Sequence, residues 1–98
     1  MKFYLCKFIP PRADFLSTLS ADEQDWMKQH AAYMNRLLEQ GSIVAHGPVI
    51  DENGGYGVSL YQIADEQDIA ALTSQDPIVK NGVGHYEHYK MLGLKARG

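Results

Sequence analysis

The chain has a single cysteine, Cys6, so it can close no internal disulfide and build no metal site from thiolates. It also lacks a strong charge of either sign. Nine basic residues against twelve acidic ones leave a formal −3, with the two signs interleaved along the chain. Nucleic-acid affinity depends on clustered Lys and Arg contacts to phosphate. The only basic cluster here, Lys90, Lys95 and Arg97, reads as a solvated C-terminal tail, so no nucleic-acid partner is expected. No run approaches the ~20 apolar residues that span a bilayer, and no membrane partner is expected. Residues 2–9 superficially resemble a signal peptide. Lys7 breaks their apolar run, Pro10, Pro11 and Arg12 end it, and no small-residue cleavage site follows. A cytoplasmic location is the resulting expectation.

What remains is ordinary globular material: 45% hydrophobic and 21% charged in 98 residues, enough for one core and too little for two. A single domain over residues 1–98 is expected, with its core at about 2–91 and a short, weakly structured tail.

The hydrophobic pattern divides the chain cleanly. Residues 2–9 are aromatic and aliphatic and stop at a proline pair, which predicts a strand. The connection 10–19 is long, and long loops often cover a site; Phe15, Leu16 and Leu19 should pack it onto the body. Ser20 and Glu23 have capping-box spacing, predicting a helix from residue 21 to Gln40 that Gly41 ends in a left-handed conformation. Trp26, Met27, His30, Tyr33, Met34, Leu37 and Leu38 form its apolar stripe, opposite Asp25, Lys28, Gln29, Arg36 and Glu39. Residues 42–50 predict a second strand, joined by the turn at 51–55 to a third over 56–63. Asp65 is the expected cap of a shorter helix running to about Ser74, anchored by Ile69 and Leu72 and broken at Asp76-Pro77. After the Asn81-Gly82 turn, residues 83–91 predict a fourth strand.

The order βαββαβ is the ferredoxin-like arrangement, an α+β fold with a four-stranded antiparallel sheet and both helices on one face. The first strand is apolar at both alternations, with Phe3, Leu5 and Ile9 on one side and Tyr4, Cys6 and Phe8 on the other. The third repeats this with Val58 and Leu60 against Tyr61 and Ile63. Two helices cover only one face, so a homodimer with stacked sheets is expected.

His30 is the residue that the helix pattern does not explain. Leucine there would stabilise the core by roughly 1.5–3 kcal/mol, whereas a buried imidazole needs partners for both nitrogens. A satisfied structural histidine is the plain alternative. Helix two should run antiparallel to helix one, which brings Asp76 within reach of His30. A carboxylate there would fix the imidazole tautomer and suit general acid–base work. On spacing alone, a simple Asp-Pro turn, with the carboxylate bonding local amides, is the better account of Asp76. His46, before Gly47-Pro48, could face the same cavity, but a surface or interface histidine is the plainer reading. His85 and His88, three apart in a strand, point to opposite faces, and His30, His46 and Asp76 have no metal-ligand spacing. No metal and no cofactor are expected. Gly54, Gly55 and Gly57 lack the lysine and following helix of a phosphate cradle, and Cys6 reads as an inert core thiol.

Taken together, Pro10, Pro11, Arg12, Phe15, Glu23, Met27, His30, Tyr33, Leu37 and Gly41 resemble the YCII-related domain. So do Gly47-Pro48-Val49, Gly55-Tyr56-Gly57 and Asp76-Pro77, and the likeness covers roughly residues 2–91. The resemblance implies a dimeric α+β barrel with a catalytic dyad of His30 and Asp76. It also implies chemistry of the dehydrochlorinase or muconolactone-isomerase kind, on small cyclic, enolisable compounds. His46 stands where a small residue often precedes the Gly-Pro pair, which implies an altered pocket.

The expected function is a lyase or isomerase acting on a small molecule by proton transfer. His30 would be the acid or base, Asp76 would orient it, and Tyr4, Trp26, Tyr33 and His46 are candidate substrate-lining residues. One alternative is a non-catalytic dimer binding a metabolite, or haem through a histidine. The other is a partner-binding module, which predicts no open cavity beside His30.

Overall fold

A computed structural model describes residues 1–97. Strand β1 (Lys2–Ile9) leads through a 3-10 turn (Phe15–Ser17) into helix α1 (Ala21–Gln40), followed by β2 (Ile43–Val49) and β3 (Tyr56–Ile63). Two short helices, α2 (Ile69–Ser74) and α3 (Pro77–Lys80), precede β4 (His85–Met91). The strands form one antiparallel sheet in the order β2-β3-β1-β4, the ferredoxin-like α+β arrangement expected from the sequence. A bulge between Ile43 and Ala45 shifts the β2–β3 register.

Helix α1 has the predicted ends. The Ser20 hydroxyl accepts from the Glu23 amide at 3.1 Å, and the Glu23 carboxylate accepts from the Ser20 amide at 2.9 Å. Gly41 stops the helix at φ 88°, where its amide reaches the carbonyls of Leu37 and Leu38. The second helical segment departs from expectation. Asp65 does not cap it; its carboxylate pairs instead with the N-terminal ammonium at 2.9 Å. The Gln67 side chain accepts from the Ala64 amide, and the Gln67 amide reaches the Ala64 carbonyl. This local turn delays the helix until Asp68, whose side chain accepts from Ala70.

Asp76-Pro77 ends one helix and starts the next. Asp76 is extended (φ −60°, ψ 125°), as a residue before proline should be, and Pro77 begins α3, where its missing amide costs nothing.

Two apolar clusters fill the space between sheet and helices. Cys6, Tyr33, Met34, Leu37, Ile43, Tyr61, Ile63 and Ile69 form one. Phe8, Phe15, Ile78 and Val83 form the other, with Trp26 and Met27 packed against it. Burial pushes the Cys6 thiol up to about 12, which keeps it an uncharged core group. The far face of the sheet is partly apolar: Leu5 pairs directly with Leu60 on one side and Tyr89 on the other, Tyr89 is 48% exposed, and Lys7 and Glu87 share that face. No helix among the described residues is long and apolar enough to cross a membrane.

Candidate functional site

The α2–α3 junction places a carboxylate where no solvent reaches it. Asp76 is 0% exposed, and each of its oxygens has protein donors. Oδ1 accepts from the Ile78 amide at 3.1 Å, capping α3. Oδ2 accepts from the Tyr86 hydroxyl at 2.6 Å and lies 2.6 Å from His30 Nδ1. A carboxylate only accepts, so His30 donates from Nδ1, and in the neutral ring the lone pair then belongs to Nε2. Among the described residues, Nε2 has no hydrogen-bond partner.

Three elements meet here. Helix α1 supplies His30, the pre-proline kink supplies Asp76, and β4 supplies Tyr86. Phe8 of β1 holds the rings in place: its centroid is 5.7 Å from that of His30 and 5.5 Å from that of Tyr86, edge-on to the latter. Burial first, and then the neighbouring Asp76 charge, push the Tyr86 phenol well above its ordinary value, so it remains a protonated donor.

His30 and Tyr86 border a cavity of about 520 Å³, within the range that encloses small organic ligands. Its helix wall is Met27, His30, Ala31 and Met34, a run of i, i+3, i+4 and i+7 positions. The long connection after β1 covers it, as expected, through Pro10, Ala13, Asp14 and the 3-10 turn. Arg12 fastens this connection to α1, with its guanidinium at 3.0 and 2.7 Å from the two Glu23 oxygens and 2.8 Å from the Thr18 carbonyl. The β2–β3 hairpin closes the other side. Gly54 lies against the same connection so tightly that a Cβ there would fall 2.0 Å from the Ala13 carbonyl oxygen.

Of the expected lining residues, His46 borders the cavity, with Nε2 3.2 Å from Asn35 Oδ1. Tyr4, Trp26 and Tyr33 do not border it. Tyr4 packs on the first cluster and Trp26 on the second. Tyr33 is buried in the core, and its hydroxyl donates to the Leu72 carbonyl at 2.6 Å. The reason is rotational. At about 100° per residue, Trp26, Tyr33 and Leu37 lie on the flank of α1 turned toward α2 and α3, roughly a quarter-turn from the Met27–Met34 stripe.

Tyr86, Phe8, Met27 and Met34 are the site residues that sequence reasoning did not assign to it. The signal for Tyr86 was cross-strand register: it pairs with Phe8, and both face the helices. His88 points the same way and lies 2.8 Å from Thr73 Oγ1, while His85 points to the far face, as strand alternation requires. Among the described residues, no three His, Cys, Asp or Glu side chains gather as a metal site.

Comparison with known proteins gives two findings. The YCII-related domain matches residues 3–95. Among solved structures, the chain is similar to the 5-chloro-2-hydroxyhydroquinone dehydrochlorinase of Burkholderia phenoliruptrix, determined in complex with 2,5-dihydroxybenzoquinone. That likeness has a TM-score of 0.59 at 16% identity, covering 89% of this chain and 93% of the other, and it establishes the shared fold. No curated protein matches.

Proposed function

The chain belongs to the YCII-related domain family, and on that premise we propose that it is a small-molecule enzyme, a lyase or isomerase working by proton transfer at His30. The observation that carries this reading is the 2.6 Å contact between His30 Nδ1 and the fully buried Asp76, at the wall of an open apolar cavity. With Nδ1 committed to Asp76, Nε2 is the ring atom that takes a proton from a substrate and returns it. Asp76 orients the ring and stabilises the imidazolium that forms, and apolar walls strengthen that attraction by excluding water.

The substrate class proposed is a small cyclic, enolisable compound. His30 removes a proton next to a carbonyl or from a ring hydroxyl. The electron pair released then either takes the proton back from the His30 imidazolium at another carbon, giving isomerisation, or expels a leaving group such as chloride, giving elimination, with the proton passing from His30 to solvent. A flat ring suits walls of Phe8, Met27, Met34 and Phe15. The bound quinone of the dehydrochlorinase neighbour is a ring of this kind. His46 is proposed as a polar contact for the substrate. The lone thiol suits a reducing compartment such as the cytoplasm.

The test is a panel of chlorinated hydroxyquinols and unsaturated lactones assayed with the parent protein and with His30→Ala. The variant is expected to lose on the order of 10²–10⁴-fold in rate, the contribution typical of a positioned general base. Full activity in His30→Ala would overturn the assignment.

The same cavity also fits a ligand-binding protein without turnover, including one that holds haem through a histidine. An absorbance scan of the purified protein separates that reading, because bound haem gives a Soret band. A partner-binding module predicts a collapsed site, and the 520 Å³ cavity counts against it. We further propose that two copies pair through the apolar far face of the sheet, where Phe3, Leu5, Ile9, Val58 and Leu60 alternate with residues turned toward the helices.

A further inference from the structure

The Tyr86 hydroxyl and His30 Nδ1 converge on one oxygen. Asp76 Oδ2 receives both at 2.6 Å, while Oδ1 receives the Ile78 amide at 3.1 Å. A carboxylate oxygen has two lone-pair directions, so both of those on Oδ2 are in use. With Asp76 0% exposed, no solvent water competes with these donors in the intact site.

The Tyr86 ring is itself held on two sides. Phe8 meets it edge-on at 5.5 Å, and His88 stacks on it at 6.4 Å with planes 12° apart. The backbone before it makes room for that packing. Gly84 has φ +69°, and a Cβ there would lie 2.6 Å from Phe8 Cζ and 2.6 Å from the Ile9 carbonyl oxygen. Phe8 therefore packs against both of the rings that share the carboxylate.

We propose that Tyr86 is a positioning residue for His30, setting through the shared Oδ2 how strongly Asp76 draws the Nδ1 proton. The proposal rests on the His30–Asp76 reading above and deepens it. A donor on Oδ2 draws off part of the negative charge that would otherwise act on the imidazole. Too strong a pull by Asp76 would hold His30 as imidazolium and leave no base for a substrate; too weak a pull would free the ring to change tautomer. The tyrosine sets the balance. Because its phenol stays protonated, it does so without changing charge itself.

The test reads His30 directly and needs no substrate. Protein carrying isotope-labelled histidine is examined by nitrogen–proton NMR, with the His30 signals assigned by their loss in His30→Gln. In Tyr86→Phe, the Nδ1 proton signal is expected to move downfield, because Oδ2 without its second donor is the stronger acceptor. Replacing tyrosine by 3-fluorotyrosine, a more acidic phenol and stronger donor, is expected to move it upfield. This second probe alters one atom per ring and carries the test if Tyr86→Phe does not fold. An Nδ1 signal unmoved by the probes that fold overturns the proposal. Asp76→Asn separates the two readings. If it shifts the His30 signals while the Tyr86 probes do not, only the role of Tyr86 fails. If it too leaves them unmoved, the dyad itself fails.

Discussion

His30 costs the helix an apolar position and recovers a buried partner in Asp76, but the two residues do not share the structural burden equally. The imidazole borders open cavity and is 17% exposed, whereas the carboxylate is sealed and accepts from three donors. Asp76→Ala removes the α3 cap and strands the Tyr86 hydroxyl and the His30 Nδ1–H. It is expected to cost about 3 kcal/mol in urea unfolding, from a cap worth about 1 kcal/mol and buried unpaired groups worth about 1–3 kcal/mol. His30→Ala leaves Asp76 two donors and opens onto existing space, so it is expected to cost only about 1 kcal/mol. The comparison with leucine changes for the same reason. Leucine at position 30 would gain apolar burial but deprive a sealed carboxylate of a partner, and only the tertiary contact reveals that second effect.

At the level of elements, the N-terminus of α1 depends on a second carboxylate that also holds down the cavity cover. The Arg12 hydrogen bond, then the Ser20 amide, hold the Glu23 carboxyl down at about 2. A folded value below the unfolded one of about 4.3 means that this contribution is present above the unfolded value and is lost as pH falls toward 2. The melting temperature of the parent is therefore expected to fall between about pH 5 and pH 2, and Glu23→Gln should remove that part of the slope. A variant with the same acid slope as the parent would show that the pair does not hold the connection. The capping box was readable in the sequence because Ser20 and Glu23 are three apart; the Arg12 link was not, because it joins a loop to a helix eleven residues on.

For the whole molecule, both sheet faces carry apolar side chains but only one is covered by helices, which is the physical basis for the proposed pairing of two copies. Light scattering after size exclusion is expected to give twice the 11.0 kDa chain mass. Leu60→Glu, in the middle strands of the far face, should return the protein to one chain mass without changing its far-UV circular dichroism. A parent protein that runs as a single chain at micromolar concentration would count decisively against the dimer.

Local chemistry made most of the fold legible. Apolar alternation marked the strands, Ser20, Glu23 and Gly41 marked both ends of α1, and the βαββαβ order then left the ferredoxin-like arrangement as the natural way to bury those faces. Asp65 misled because a good capping residue lost to a Gln67 side-chain turn, a competition that sequence spacing does not rank. The site was legible only in part. His30 stood out because a polar ring interrupted an apolar stripe, and Asp76 because a pre-proline aspartate ends a helix that should run back along α1. Their 2.6 Å contact, the choice of Met27 and Met34 over Trp26 and Tyr33 as cavity wall, and the entry of Tyr86 were decided by tertiary structure. Helix rotation and cross-strand register determine which side chains converge, and both are set by packing between residues far apart in the chain.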